Sequence, residues 1–127
     1  MVSERISPSN ITFEGLPWPI KGSADGRSLG LGGTTSLMLP DGALLMTAIV
    51  RWAPPLQPPC PKSDGAWRVI VACNRSSVVV FRSADGVRWS FLSVLADAPD
   101  HPESFEGPSE HDITYLPDGK TLLAIIR

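Results

Sequence analysis

Four of the Asp-Gly pairs in this chain lie between short runs of apolar residues, and they constrain its fold more than any other feature. Glycine tolerates the positive φ that a tight hairpin turn requires, so Asp-Gly between apolar runs is a strong hairpin signal. The pattern predicts an all-β chain built from antiparallel hairpins. The pairs stand at residues 41–42, 64–65, 85–86 and 118–119.

The apolar runs themselves are short and rich in Val, Ile, Leu and Thr, which is typical of β-strands. No window of three turns keeps a helical apolar stripe free of Pro or Gly, so we expect no long helix. The predicted strands span residues 34–39, 43–50, 67–73, 77–82, 88–95, 112–116 and 121–126.

An internal repeat organises these strands. The segment SLMLPDGALLMTAIVR (36–51) matches DITYLPDGKTLLAIIR (112–127), and the tetrapeptide SADG occurs at 23–26 and again at 83–86. Two consecutive hairpins make a four-stranded antiparallel unit, and such units arranged radially form a β-propeller of about four to eight blades. The repeat therefore predicts about one and a half blades, a full one at residues 34–95 and the first half of the next. We expect the chain to be an N-terminal fragment, with the rest of the propeller missing.

Length and charge narrow the class of protein. The chain has 127 residues and a net charge of −2, so we expect one domain and no nucleic-acid partner. It contains no apolar stretch of about 20 residues and no signal-peptide pattern at its start, so we expect no transmembrane segment, and its location stays unknown. Cys60 and Cys73 lack metal-ligand or redox spacing, so we expect no cofactor and no metal.

A resemblance to a known family rests on three segments. SADGVRW (83–89) resembles the Asp-box of sialidases, with Ser83, Asp85, Gly86 and Trp89 at its defining positions. TSLMLPDGALLMTAIVR (35–51) and EHDITYLPDGKTLLAIIR (110–127) resemble hairpins of the same family, each closing with an arginine. The resemblance implies a six-bladed propeller and removal of terminal sialic acid from glycans. It divides the chain into a lead-in at 1–33, with a degenerate Asp-box, and a partial propeller at 34–127.

The family's site has three arginines on the substrate carboxylate, an aspartate acid/base, and a tyrosine nucleophile partnered by a glutamate. The resemblance implies that Glu110 is that glutamate, that Arg127 and Arg51 bind substrate, and that Asp64 is the acid/base. Asp64 is the only acidic residue between Arg51 and the Asp-box. The tyrosine and the third arginine would lie beyond residue 127.

Plainer interpretations stay open for each of these residues. The turn at 118–119 should bring Glu110 and Arg127 to the same end of a hairpin, where they would also make an ordinary surface ion pair. Asp64 fits a turn, and the stem of Arg51 would cover apolar surface. The family's Phe/Tyr-Arg-Ile-Pro motif is absent, which favours a non-catalytic propeller that binds glycans or proteins. A truncated product without a function of its own is the third alternative.

Two segments are expected to be structural. Ser83 and Asp85 should accept hydrogen bonds from nearby backbone and fix their turn, and Trp89 should pack over it. In the family these boxes lie on the outer rim, away from the site. The acidic segment 97–111 is expected to be a solvated loop, with weak binding of a hard cation as the alternative.

Overall fold

A computed structural model describes residues 11–18, 34–52 and 75–127, and they form an all-β structure as predicted. No α-helix occurs in these ranges; one 3₁₀ turn, Ala98–Asp100, follows the fifth strand. Within them no helix is long and apolar enough to span a membrane. The predicted strand at 67–73, the SADG copy at 23–26 and Asp64 lie outside the described residues. The strands are β1 (Thr12–Glu14), β2 (Thr35–Met38), β3 (Leu44–Val50), β4 (Ser77–Ser83), β5 (Arg88–Ala96), β6 (His111–Tyr115) and β7 (Leu122–Ile126).

The first five strands form one sheet in the order β1-β5-β4-β3-β2, and β6 pairs with β7 in a second sheet. Strands β2 to β5 are antiparallel neighbours in chain order, as expected for a series of hairpins. Strand β1 pairs parallel to β5, with Thr12 opposite Arg88. Sequence reasoning missed β1 because three residues are too few to show a strand periodicity.

The repeated Leu-Pro-Asp-Gly sequence forms two similar turns. In the first, the Leu39 N–H donates to the Ala43 carbonyl at 2.7 Å and Asp41 Oδ1 accepts from the Ala43 N–H at 3.0 Å. In the second, the Leu116 N–H donates to the Thr121 carbonyl at 2.8 Å, and Asp118 Oδ1 accepts from the Thr121 N–H at 2.8 Å. In both turns the aspartate accepts from the backbone N–H two residues on, but the second turn closes one residue later than the first.

The large sheet carries an apolar cluster on each face, because the central strand β4 is apolar on both sides. One face holds the larger cluster, in which Val79 and Phe81 are fully buried. On the other face, Leu45 and Val80 pack against Ile113 of β6. The β6–β7 hairpin therefore packs on this second face, and its first strand lies beside β2.

Candidate functional site

Glu110 and Arg127 meet at the open end of the β6–β7 hairpin. His111 and Ile126 are opposite each other in the register, so the residues just outside them are also opposite. The Arg127 N–H donates to the Glu110 carbonyl at 2.8 Å, and Arg127 Nη1 lies 2.9 Å from Glu110 Oε2. The hairpin thus brings the carboxylate and the guanidinium together; their roles toward a substrate stay predictions.

A second carboxylate, which sequence reasoning missed, also contacts this arginine. Arg127 Nη2 lies 3.2 Å from Glu106 Oε1. The side chains of Arg127 and Glu110 are 70% and 69% exposed, and that of Glu106 is 41% exposed. Ion pairs this open to water contribute little to stability. We call Arg127, Glu106 and Glu110 the Arg127 cluster.

The segment that carries Glu106 is not the freely solvated loop expected from its composition. Its acidic side chains are largely exposed, but its backbone is fixed to the start of β4. The Ser76 N–H and the Ser76 hydroxyl both donate to the Glu106 carbonyl, at 2.8 and 3.0 Å. Gly107 and Pro108 are buried where the segment crosses Ser76. No sequence signal links these residues, since they lie 30 positions apart.

A second anchor holds the beginning of the same segment. Asp97 Oδ1 accepts from the Trp52 indole N–H at 3.2 Å and from the Ser77 hydroxyl at 2.5 Å. The guanidinium of Arg75 donates to the His101 carbonyl. These contacts attach the segment to residues just after β3 and at the start of β4.

The structure says less about Arg51 and Asp64, the other two residues predicted to act on a substrate. Arg51 directly follows β3 and its side chain is exposed, while the next residue, Trp52, is buried. The binding role of Arg51 stays a prediction. Asp64, the predicted acid/base, lies outside the described residues, so its predicted role stays untested.

The turn between β4 and β5 forms as predicted. Ser83 Oγ accepts from the Gly86 N–H at 2.8 Å, and Asp85 Oδ1 accepts from the Val87 and Arg88 N–H groups, both at 2.8 Å. Hydrogen bonds from the backbone of Arg88 and then of Val87 lower the pKa of Asp85 below its ordinary value.

The indole of Trp89 closes this turn. Its Nε1–H donates to the Gly86 carbonyl at 3.2 Å, and the residue is 7% exposed. The Ser83–Trp89 turn is held together by its own hydrogen bonds, which is typical of a structural element. It also lies far from the Arg127 cluster, because the segment carrying Glu106 is anchored at the opposite end of β4. Seven residues of strand separate the two ends by roughly 20 Å.

A cavity of about 450 Å³ opens between the end of β5, the anchored segment and β7. Leu95 and Ile126 supply apolar wall, while His101, Glu103 and Arg127 bring charged or titratable groups to its rim. His101 Nδ1 lies 3.4 Å from Glu103 Oε1. Arg127 is therefore both the centre of the carboxylate cluster and part of a small-molecule-sized opening.

We find no cluster of metal-ligating side chains in the part of the chain that the structure describes. Within it, no group of three or more His, Cys, Asp or Glu side chains is placed to hold a metal ion. The weak cation site considered for the acidic segment therefore has no ligand cluster there.

No protein-family model, no curated protein and no solved structure matches this chain.

Proposed function

We propose that this chain is part of a sialidase-like glycoside hydrolase that removes terminal sialic acid from glycans. The observation that carries the proposal is the contact between Arg127 and Glu110 across the end of a hairpin. The sequence resemblance assigns these two residues to one site, although they lie 17 positions apart along the chain. Six-bladed propeller architecture is part of the same proposal.

The chemistry of the pair suits this reaction. A guanidinium presents five N–H donors in a planar fork that matches a carboxylate, and sialic acid carries a carboxylate on its anomeric carbon. Glu110 would act as the base for a tyrosine hydroxyl, whose ordinary pKa of about 10 leaves it protonated at neutral pH. The tyrosine and the remaining arginine of the site would come from sequence beyond residue 127.

The second candidate is a non-catalytic propeller that binds glycans or proteins. The absence of the Arg-Ile-Pro motif favours it, and the contact between Glu110 and Arg127 is compatible with either candidate. An exposed ion pair of this kind needs no catalytic role to form.

The test is release of sialic acid from a fluorogenic sialoside by a chain long enough to include the tyrosine and the third arginine. Arg127→Ala and Glu110→Ala should each abolish turnover. Arg82→Ala is the matched control, because Arg82 also forms an exposed ion pair, with Asp41 at 2.7 Å. Unchanged turnover in both site variants rules out the assigned site. If the unaltered longer chain binds glycan but shows no turnover, the result favours the second candidate. Residues 1–127 alone should release no sialic acid.

A further inference from the structure

We propose that Glu106 is a positioning residue for Arg127. The anchored segment holds the Glu106 carboxylate against one side of the guanidinium while Glu110 holds the other, so that Arg127 is kept in one orientation. The ligand served by this arrangement, a carboxylate, rests on the function proposed above; the positioning itself rests on geometry alone.

The backbone of Glu106 is fixed before its side chain contributes anything. Ser76, which is 2% exposed, donates two hydrogen bonds to the Glu106 carbonyl, one from its N–H and one from its hydroxyl. The next residue, Gly107, has a φ of +75°. A Cβ at position 107 would lie 2.3 Å from the Ser76 carbonyl oxygen, so only glycine allows this approach.

The two carboxylates contact different nitrogens of the guanidinium. Glu110 Oε2 lies 2.9 Å from Nη1, and Glu106 Oε1 lies 3.2 Å from Nη2. Contacts on both terminal nitrogens restrict rotation of the group, which a single contact would permit. Because each terminal nitrogen carries two protons, donors remain for a ligand carboxylate.

By its charge alone, Glu106 would weaken the binding of a carboxylate ligand by Arg127, whereas a positioning role would strengthen it. Arg127 with Glu106 and Glu110 sums to −1, so a carboxylate ligand is repelled by the cluster more than by the Arg127–Glu110 pair, which is neutral. If Glu106 acted only as a counter-ion, its neutralisation would strengthen anion binding. If it positions Arg127, its neutralisation weakens anion binding, so the sign of the change separates the two roles.

The first experiment follows the Arg127 side chain of the full 127-residue chain by nitrogen-15 NMR. A guanidinium held on both terminal nitrogens rotates slowly and gives separate Nη signals. Glu106→Gln should merge these signals without shifting the backbone amide signal of Ser76. Glu106→Asp should have the same effect, because its shorter side chain does not reach the Arg127 guanidinium. Glu103→Gln is the control: its carboxylate lies in the same segment but pairs with His101. Arg127 signals that are unaltered in both Glu106 variants overturn the proposal.

The second experiment titrates free sialic acid while following the Arg127 Nε–H signal. We expect Glu106→Gln to bind roughly two- to fivefold more weakly than the unaltered chain, the scale of one exposed charged contact. Tighter binding by Glu106→Gln overturns the positioning role. If sialic acid does not bind Arg127 even in the unaltered chain, its carboxylate is not a ligand of the Arg127 cluster in residues 1–127, while the NMR comparison still decides the role of Glu106. The proposed function itself is tested by turnover in the longer chain.

Discussion

Trp52 and Asp97, 45 positions apart in the sequence, are joined by a hydrogen bond of 3.2 Å from the indole N–H to Oδ1. The hydroxyl of Ser77 donates to the same oxygen at 2.5 Å and accepts from the Ala98 N–H at 3.1 Å. The Asp97 carboxylate, which directly follows β5, thus links the second residue after β3 to the start of β4. This junction fixes the place where the anchored segment leaves the sheet.

Asp97→Ala should lower the free energy of unfolding by about 2–4 kcal/mol, because it leaves the Trp52 indole and the Ser77 hydroxyl without their acceptor. Urea denaturation followed by tryptophan fluorescence measures the change. Asp100→Ala is the matched control, since Asp100 is an exposed aspartate three residues away, and it should stay within about 0.5 kcal/mol of the unaltered chain. Equal effects of the two substitutions would show that the junction does not contribute.

Acid should destabilise the protein through its turn aspartates. Backbone hydrogen bonds lower the pKa of Asp85, and the hydroxyl and N–H of Thr121 do the same for Asp118. In the pH range between the lowered pKa and the ordinary value, the unfolded chain binds more protons than the folded one. The free energy of unfolding must therefore rise with pH in that range.

The two turns make their full contribution above about pH 4, the ordinary aspartate pKa, and lose it as the pH falls through the lowered values. Urea denaturation between about pH 2 and 6 should show this slope, and Asp85→Asn or Asp118→Asn should flatten it. A free energy of unfolding that falls as the pH rises over this range in the unaltered chain contradicts the assignment.

The strands and turns were predictable because their causes are local. Asp41 and Asp118 accept hydrogen bonds from backbone groups two or three residues away, so a few letters of sequence specify each turn. The strand pattern of β4 is also local, since an uninterrupted apolar run indicates burial on both faces. The contact between Glu110 and Arg127 follows from the same logic, because a hairpin determines which residues lie opposite each other.

Contacts between distant parts of the chain were not predictable in this way. The hydrogen bonds from Ser76 to Glu106 depend on how the anchored segment crosses the start of β4, and neither residue has neighbours that signal the other. The acidic composition of the segment suggested solvation, but composition describes side chains, and here the backbone makes the anchoring contacts. Glu106 therefore joined the Arg127 cluster without any sequence signal.

Gly107→Ala should be far more damaging than Gly119→Ala. Both glycines have positive φ, +75° and +65°, so an alanine is strained at either position, by about 1 kcal/mol. At Gly119 nothing lies within 4 Å of the added methyl, whereas at Gly107 it meets the Ser76 backbone at 2.3 Å. We expect a loss above about 3 kcal/mol for Gly107→Ala by urea denaturation. Similar losses at both positions would contradict the close crossing.

Ile113→Ala and Ile125→Ala should differ in their effect on stability, because the two isoleucines lie on opposite faces of the β6–β7 hairpin. Ile113 is 8% exposed and packs on Leu45 and Val80, whereas Ile125 is 66% exposed. Both substitutions carry the same loss of β-strand preference, so the difference between them isolates burial. We expect Ile113→Ala to lower the free energy of unfolding by about 2–3 kcal/mol more than Ile125→Ala in urea denaturation. Equal losses would mean that the hairpin does not pack on the sheet through Ile113.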